Sequence, residues 1–173
     1  IRVNIMASSY STNAQLEIIT TGEKAGQWGG INNTNLQILE QTSTGYISVD
    51  MAGASVTLAL TDGATSNGKN IYLRLYGTLA ANRTLTMPVT ANRVWIVKDE
   101  TVRGASNRTL GVLTASGTTT QIPPGATVLC RSNGSETDVT IIEKGYVTIT
   151  NSNTPYTTVA GAQILANTTS AVI

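Results

Sequence analysis

The sequence contains no histidine and a single cysteine, Cys130. Histidine is the commonest general base and the commonest ligand of transition metals, and one cysteine alone forms neither an intrachain disulfide nor a zinc site. These absences argue against metal-dependent chemistry and against a catalytic triad, so we expect no metal and no cofactor. The apolar neighbours Val128 and Leu129 predict that Cys130 is a small buried hydrophobic residue rather than a reactive thiol.

Charge is also scarce. Charged residues make up 12% of the chain, against roughly 25% in an average soluble domain, and the net charge is +1. Lysine and arginine are scattered singly, so no basic patch for nucleic acid or an anionic membrane stands out. No apolar run approaches the roughly 20 residues that span a bilayer. We expect neither a nucleic-acid partner nor membrane insertion.

Phenylalanine is absent as well, although apolar residues make up 40% of the chain. The core is therefore predicted to be aliphatic, supplemented by Trp28, Trp95 and six tyrosines. Threonine, asparagine and glycine are abundant instead. Threonine favours strands because its β-branch is stiff, and asparagine and glycine favour tight turns because they tolerate positive φ angles. The composition indicates a mainly β protein with many short turns.

The carboxylates offer one remaining route to catalysis, a glycosidase-like pair of acids. Asp99 and Glu100 are the only adjacent pair. If both continue the strand that begins near Val94, they point to opposite faces of the sheet and cannot act on one glycosidic bond. We therefore expect no catalytic residues, and we expect that the chain is not an enzyme.

The chain divides into four predicted segments: an N-terminal arm at 1–30, a helix at 31–45, a β domain at 46–144, and the start of a second β module or shaft, truncated, at 145–173. Asn33 or Thr34 is expected to cap the helix, and Gly45 to end it in a left-handed conformation. Leu36 and Leu39, with Ile38, form its apolar stripe. A helix this short must pack on a sheet or on a neighbouring subunit.

Beyond the helix, apolar and polar residues alternate with a period of two, as in half-buried strands. The alternation is clearest where Val56, Leu58 and Leu60, then Ile71, Leu73 and Leu75, then Leu85 and Met87 take the apolar positions. Further strands are predicted at 94–98, 110–114, 127–131 and 139–143. Turn signals between them are Asp62-Gly63, Asn67-Gly68, Gly77, Pro123-Pro124-Gly125 and Asn133-Gly134. Short strands separated by such turns predict an antiparallel β-sandwich or a small barrel.

Two features concern the ends of the chain. Residues 45–49 (GYISV) are echoed at 145–149 (GYVTI), which leaves a genuine repeat open. The last residues, Ala171-Val172-Ile173, look like the middle of a strand, so we expect a longer parent polypeptide. The sequence from Met6 onward reads like a natural beginning, which makes residues 1–5 an upstream extension or an arm.

The most distinctive stretch runs from Thr20 to Gly30 (TTGEKAGQWGG), continues with NNTNL at 32–36, and is followed by Gly45-Tyr46. It resembles the opening of many tail-fibre and minor structural proteins of tailed bacteriophages. These begin with a short Met-Ala-Ser-like lead, then Gly-Glu-x-x-Gly-x-Trp-Gly before Asn-Thr-Asn-Leu. The resemblance begins near Met6 and continues, less specifically, to about Ile142.

The resemblance implies a virion protein: the N-terminal part of a β-rich, homotrimeric fibre that docks on the tail and supports host attachment. The implied partners are further copies of the chain and virion proteins such as a tail adaptor, nozzle or baseplate. Contact with a host surface glycan would come through missing downstream parts. The implied location is the virion tail, after assembly in the cytoplasm of the bacterial host.

Candidate docking or oligomer anchors follow from the same segment: Trp28, Gly26, Gly29, Leu36 and Leu39. Glycines allow sharp turns and close approach of a second chain, and a tryptophan supplies a large rigid anchor. Two interpretations of Trp28 stay open. It either covers the end of its own domain's sheet or contacts a neighbouring chain.

Two other functions stay open at this point. One is a capsid decoration, head-fibre or neck protein, which would reinforce the particle without recognising a host. The other is a receptor-binding or carbohydrate-binding module that uses Tyr46, Tyr72, Tyr76 or Trp95 as stacking platforms, although such aromatic residues belong to the core more often than to a site.

Overall fold

A computed structural model describes residues 8–104, 108–113 and 119–133, together with the backbone of 137–143. The predicted second module at 145–173, the echo at 145–149 and the first seven residues of the arm lie outside the described residues. The elements in chain order are β1 Ser9–Tyr10, β2 Glu17–Ile18, α1 Trp28–Thr44, β3 Tyr46–Asp50, β4 Val56–Thr57, a 3-10 helix Asn67–Lys69, β5 Tyr72–Thr78, β6 Arg83–Thr86, β7 Asn92–Val102, β8 Leu110–Leu113, β9 Thr119–Ile122, β10 Thr127–Asn133 and β11 Thr137–Glu143. The prediction of a mainly β chain with one α-helix is confirmed for this part.

Strands β1 and β2 form a small sheet of their own, and from β3 to β8 consecutive strands alternate between two larger sheets. One sheet has five strands in the order β11-β10-β7-β5-β3, and the other has four in the order β4-β6-β8-β9. From β3 to β8 the chain winds in successive turns, and each turn adds one strand to each sheet. In-register partners are therefore far apart in sequence: Tyr46 pairs with Tyr72, 26 residues later, and Tyr72 pairs with Ile96, 24 residues later.

The prediction of an antiparallel sandwich or barrel is wrong in its strand directions. Within the described residues β3, β5 and β7 pair in parallel, as do β4, β6 and β8. Antiparallel pairing in these two sheets begins only where β9 returns beside β8 and β10 beside β7. The sheets are thus mixed, and neither closes into a barrel. Asp62-Gly63 and Asn67-Gly68 lie between β4 of one sheet and β5 of the other, and so do not join the two strands of a hairpin.

The core follows from the period of two. Alternate residues of β5 and β7, namely Leu73, Leu75, Trp95 and Val97, are fully buried. Inward residues of both sheets form one hydrophobic cluster, to which the second sheet contributes Leu85, Leu110, Val112 and Ile122. The expected aliphatic interior is confirmed, with Trp95 as its one large aromatic residue among the buried positions.

Gly77 differs from its predicted role as a turn. It lies within β5 at a φ of +103° and pairs with Thr101. A Cβ at this position would lie 2.6 Å from the Asp50 Oδ1 atom and 3.1 Å from the Ala52 Cβ. The glycine therefore permits close approach of the chain after β3, while its strand continues.

Pro123-Pro124-Gly125 does form the predicted turn. Gly125 has a φ of +73°, and the amide of Ala126 donates to the Pro123 carbonyl at 3.1 Å.

Helix α1 begins at Trp28, three residues before the predicted start at Ile31. Neither Asn33 nor Thr34 caps it. Gln27 occupies the N-cap position, and no side chain hydrogen bonds there. Gly45 is extended, with a φ of −61°, and not left-handed as predicted. Position 45 requires glycine because the Cβ of any other residue would lie 2.2 Å from the Gln41 carbonyl oxygen. No described helix is long and apolar enough to cross a membrane.

Candidate functional site

Helix α1 carries three of the candidate anchors that the sequence suggested, namely Trp28, Leu36 and Leu39, and its two sides differ in burial. Its inward side buries one residue completely, Ile38. Ile31 lies on the same side and is partly buried, and polar side chains add hydrogen bonds. Asn35 accepts a hydrogen bond from the Glu17 amide at 3.0 Å and donates one to the Glu17 carbonyl at 2.9 Å, and Gln41 Oε1 accepts from the Ser66 amide at 3.2 Å. These hydrogen bonds join the helix to the arm and to the residue that precedes the 3-10 helix.

The outward side of α1 exposes large apolar side chains. Trp28 is 63% exposed, Leu36 56% and Leu39 45%. At 3.6 residues per turn these three residues lie within one stripe along the helix. Two smaller exposed residues, Asn32 and Ser43, lie in the same stripe. We call these five residues the outward stripe.

The outward stripe carries no charge. Glu40 is the only charged residue of α1, and it lies beside the stripe. The hydroxyl groups of the last turn are occupied within the helix: Ser43 donates to the Leu39 carbonyl at 2.8 Å, and Thr44 donates to the Glu40 carbonyl at 3.0 Å. An uncharged apolar stripe of this kind is typical of a surface that contacts another protein.

The two candidate glycines lie at and before the start of α1. Gly26 has a φ of +80° in the turn that precedes the helix, a conformation that side chains rarely adopt. Gly29 is helical and exposed, and a Cβ added to it would meet no atom within 4 Å. Gly26 thus shapes the approach to the helix, and Gly29 leaves the surface beside Trp28 open.

The N-terminal arm lies across the β domain and the helix. The Gly63 amide donates to the Gln15 carbonyl at 2.8 Å, and the Asn92 amide donates to Asn13 Oδ1 at 3.1 Å. Together with the bonds between Glu17 and Asn35, these contacts fix the arm to the 61–64 loop, the start of β7 and the helix.

Lys69 was not anticipated from the sequence. Its side chain is fully buried, and its Nζ donates to the carbonyls of Thr61 at 2.6 Å and Ala64 at 2.7 Å. Burial, followed by the nearby Arg93 charge, lowers the pKa of Lys69. The ammonium holds the loop that receives the arm. Nothing in the local sequence distinguishes this lysine from a solvated one, since its burial depends on the 3-10 helix folding beneath the loop.

The four aromatic residues suggested as stacking platforms separate into two groups. Trp95 is fully buried, and its Nε1 donates to the Gly68 carbonyl at 2.8 Å, so it belongs to the core. Tyr46, Tyr72 and Tyr76 occupy the outer face of the five-stranded sheet, where Tyr46 and Tyr72 stack with their ring centroids 5.6 Å apart. Parallel pairing of β3 and β5 places these two rings side by side.

The adjacent carboxylates point to opposite faces of β7, as the sequence predicted. Asp99 is fully buried and pairs with Arg103, and its Oδ1 accepts from the Thr101 hydroxyl at 2.7 Å. Glu100 is exposed and pairs with Arg74 at 2.6 Å. The two groups do not converge on one site.

Cys130 lies in the core, with no exposed surface, as predicted. Burial raises the pKa of its thiol to about 12, so the reactive thiolate is scarce at neutral pH. Within the part of the chain that the structure describes, no three His, Cys, Asp or Glu side chains are grouped to hold a metal ion.

Comparisons of the chain with protein-family models, with curated proteins and with solved structures found no match.

Proposed function

We propose that the chain is a structural protein of a tailed-phage virion: the N-terminal segment of a tail fibre, which docks the fibre to the tail and begins a β-rich shaft. The observation that carries the proposal is the outward stripe of α1, with Trp28, Leu36 and Leu39 largely exposed. A docking element needs an exposed apolar surface of this kind.

The physical argument begins with the weak attachment of α1 to its own domain. A helix of 17 residues is only marginally stable without tertiary packing, and here one side chain is fully buried. A partner that covers the outward stripe supplies the missing apolar burial. Leu36 and Leu39 are about half exposed, so covering each contributes roughly half of the value for full burial, about 0.7–1.5 kcal/mol. Assembly would therefore add to the stability of the helix.

In this proposal the two sheets form a β-sandwich that starts the shaft, and the fibre is a homotrimer. A tail adaptor, nozzle or baseplate protein receives the arm and helix, and downstream parts of the parent protein reach a host surface glycan. The fibre is assembled in the bacterial cytoplasm. The polar arm and the uncharged stripe suit contacts that change little with salt, because few ion pairs are involved.

The first test is the solution mass of the chain by light scattering, with Trp28→Ala beside it. Gln37→Ala is the matched control, because Gln37 is exposed on a different side of α1. We expect a three-fold mass for the chain and the control, and a lower mass for Trp28→Ala. Folded monomers for all three would contradict a fibre base that assembles through this helix.

The second test is location in the particle. Antibodies against the chain, viewed by electron microscopy, are expected to label the tail at positions related by three-fold symmetry. Many labelled copies distributed over the shell would instead support the decoration, head-fibre or neck protein.

A further inference from the structure

Residues 8–18 of the arm contribute little to the core of the molecule. They include the short hairpin of β1 and β2, and none of these described residues belongs to the hydrophobic cluster of the β domain. The apolar side chains of Tyr10 and Ile18 are exposed, and Gln15 is the one residue of the segment that is buried. Apolar burial therefore does little to hold this segment, which we call the strap.

The buried Gln15 is held in an unfavourable way. Its φ is +57°, in the left-handed region that residues other than glycine, asparagine and aspartate rarely adopt. Its side-chain Oε1 atom is buried and has no hydrogen-bond partner. When the strap leaves the domain, water can donate to this oxygen and the backbone can relax, so both features favour opening.

Hydrogen bonds hold the strap at three places: the 61–64 loop, the start of β7 and the Asn35 side chain in α1. The third place has two bonds, because Asn35 accepts from the Glu17 amide and donates to the Glu17 carbonyl. Each bond replaces one to water, so its net contribution to stability is small. The 61–64 loop is itself fixed by Lys69, which binds the loop through two carbonyls and not through the strap.

The segment 19–27, which joins the strap to α1, can act as a hinge. Gly22 and Gly26 have φ angles of +89° and +80°, and a Cβ at either position would meet no atom within 4 Å. The ion pair between Lys24 and Glu17, at 3.1 Å, connects this segment to the strap and not to the β domain. Movement about the hinge therefore breaks no contact within the β domain.

We propose that the strap opens from its own domain as a unit, while α1 and the two larger sheets stay folded. Opening uncovers the Asn35 side chain and the backbone amides of Gly63 and Asn92. The released segment reaches at most about 40 Å as an extended chain, so it can contact surfaces outside its own domain. This inference does not depend on the proposed function.

Native-state amide exchange of the full chain, followed by NMR at low urea concentrations, tests the strap. The amides of Glu17, Gly63 and Asn92 each donate a bond that joins the strap to the rest of the chain. The Ile96 amide, which donates to the Ile71 carbonyl at 2.8 Å, reports on the β domain.

We expect the three strap amides to have protection factors at least about a hundredfold lower than that of Ile96. Their exchange should depend only weakly on urea, because opening exposes little surface, whereas exchange at Ile96 should depend on it steeply. One shared protection factor with the same steep urea dependence at all four amides would overturn the proposal, since the strap would then open only when the domain unfolds.

Two asparagines of α1 provide a matched pair of variants. Asn35→Ala removes both bonds to Glu17, whereas the side chain of Asn33 is exposed and makes no hydrogen bond to the strap. We expect Asn35→Ala to lower the protection of the Gly63 and Asn92 amides at least about fivefold and to leave Ile96 unchanged. Asn33→Ala should change none of them.

Two results with these variants would also overturn the proposal. A loss of protection at Ile96 as large as that at Gly63 would show that the strap and the β domain open together. Equal effects of Asn35→Ala and Asn33→Ala would show that the bonds to Glu17 do not hold the strap closed.

Discussion

The β domain and the N-terminal helix are stabilised by different forces. In the β domain the inward residues of two sheets merge into one cluster, and Leu73, Leu75 and Trp95 have no exposed surface. In α1 only Ile38 is fully buried, while Trp28 is 63% exposed. The β domain buries its apolar side chains against one another. The helix leaves most of its large apolar side chains exposed, and in our proposal a partner covers them. Substitutions in the two regions should therefore have effects of different size and different concentration dependence.

The largest effect is expected at the buried ion pair of the domain. Asp99→Asn removes the carboxylate charge that pairs with the largely buried Arg103 guanidinium, which lowers the free energy of unfolding by about 3–5 kcal/mol. Glu100→Gln is the matched control, because Glu100 follows Asp99 in the same strand and its side chain is exposed. It should leave the urea denaturation midpoint almost unchanged. Similar shifts of the urea denaturation midpoint for Asp99→Asn and Glu100→Gln would contradict a difference in burial between the two faces of β7.

Leucines compare the two regions directly. Leu75→Ala opens a cavity in the core and should lower the free energy of unfolding by about 2–5 kcal/mol at every protein concentration. Leu36→Ala should change the unfolding of the monomer by less than about 0.5 kcal/mol. It should also reduce the rise in melting temperature that accompanies increasing protein concentration. Urea titrations measure the free energies of unfolding, and thermal melts at two protein concentrations, about a hundredfold apart, measure the rise in melting temperature.

The buried thiol gives the core a dependence on pH. The folded chain keeps Cys130 neutral, with a pKa of about 12, whereas the ordinary value is 9.0. The contribution of the neutral thiol to the free energy of unfolding is therefore complete below pH 9. It is lost as the pH rises from 9 towards 12, because the thiol of the unfolded chain ionises at a lower pH than that of the folded chain. The free-energy difference between the chain and Cys130→Ala should shrink by about 1.4 kcal/mol per pH unit in this window. A constant difference would contradict the burial of the thiol.

A smaller effect than in the core is expected where the arm meets the domain. Gly63 has a φ of +62°, and a Cβ there would lie 2.7 Å from the Tyr10 ring. Gly63→Ala should lower the free energy of unfolding by about 1–2 kcal/mol and speed amide exchange in residues 9–18. Gly53→Ala is the control, because nothing lies within 4 Å of its added methyl. Equal exchange in the two variants would show that the 61–64 loop does not hold the arm.

The local structure of the β domain was largely predictable. Alternation correctly placed Leu73, Leu75, Leu85 and Met87 in the core, and the neighbours of Cys130 correctly predicted its burial. Strand β9 was missed, because Thr119–Ile122 contains one apolar residue and is a strand through its pairing with β8. Strand direction was predicted wrongly, because a period of two is the same in parallel and antiparallel sheets.

The sequence suggested residues for the candidate site but not their geometry. The sequence indicated Trp28, Leu36 and Leu39 as anchors, and it left open whether Trp28 covers its own domain. Helix α1 buries Ile38 inwards and directs the three anchors outwards. Contacts such as those between Asn35 and Glu17 decide which side of the helix faces its own chain. The two residues are 18 positions apart, so the contact produces no periodic pattern in the sequence.

The sequence by itself determined most of the apolar core positions and most of the strands of the β domain, because these follow from side-chain chemistry and from a period of two residues. Tertiary structure alone decided that the strands wind between two sheets, that Lys69 is buried beneath a loop, and that α1 leaves an apolar stripe exposed. These features depend on contacts between residues that are far apart in the sequence. Such contacts contribute to stability only after folding has brought the residues together.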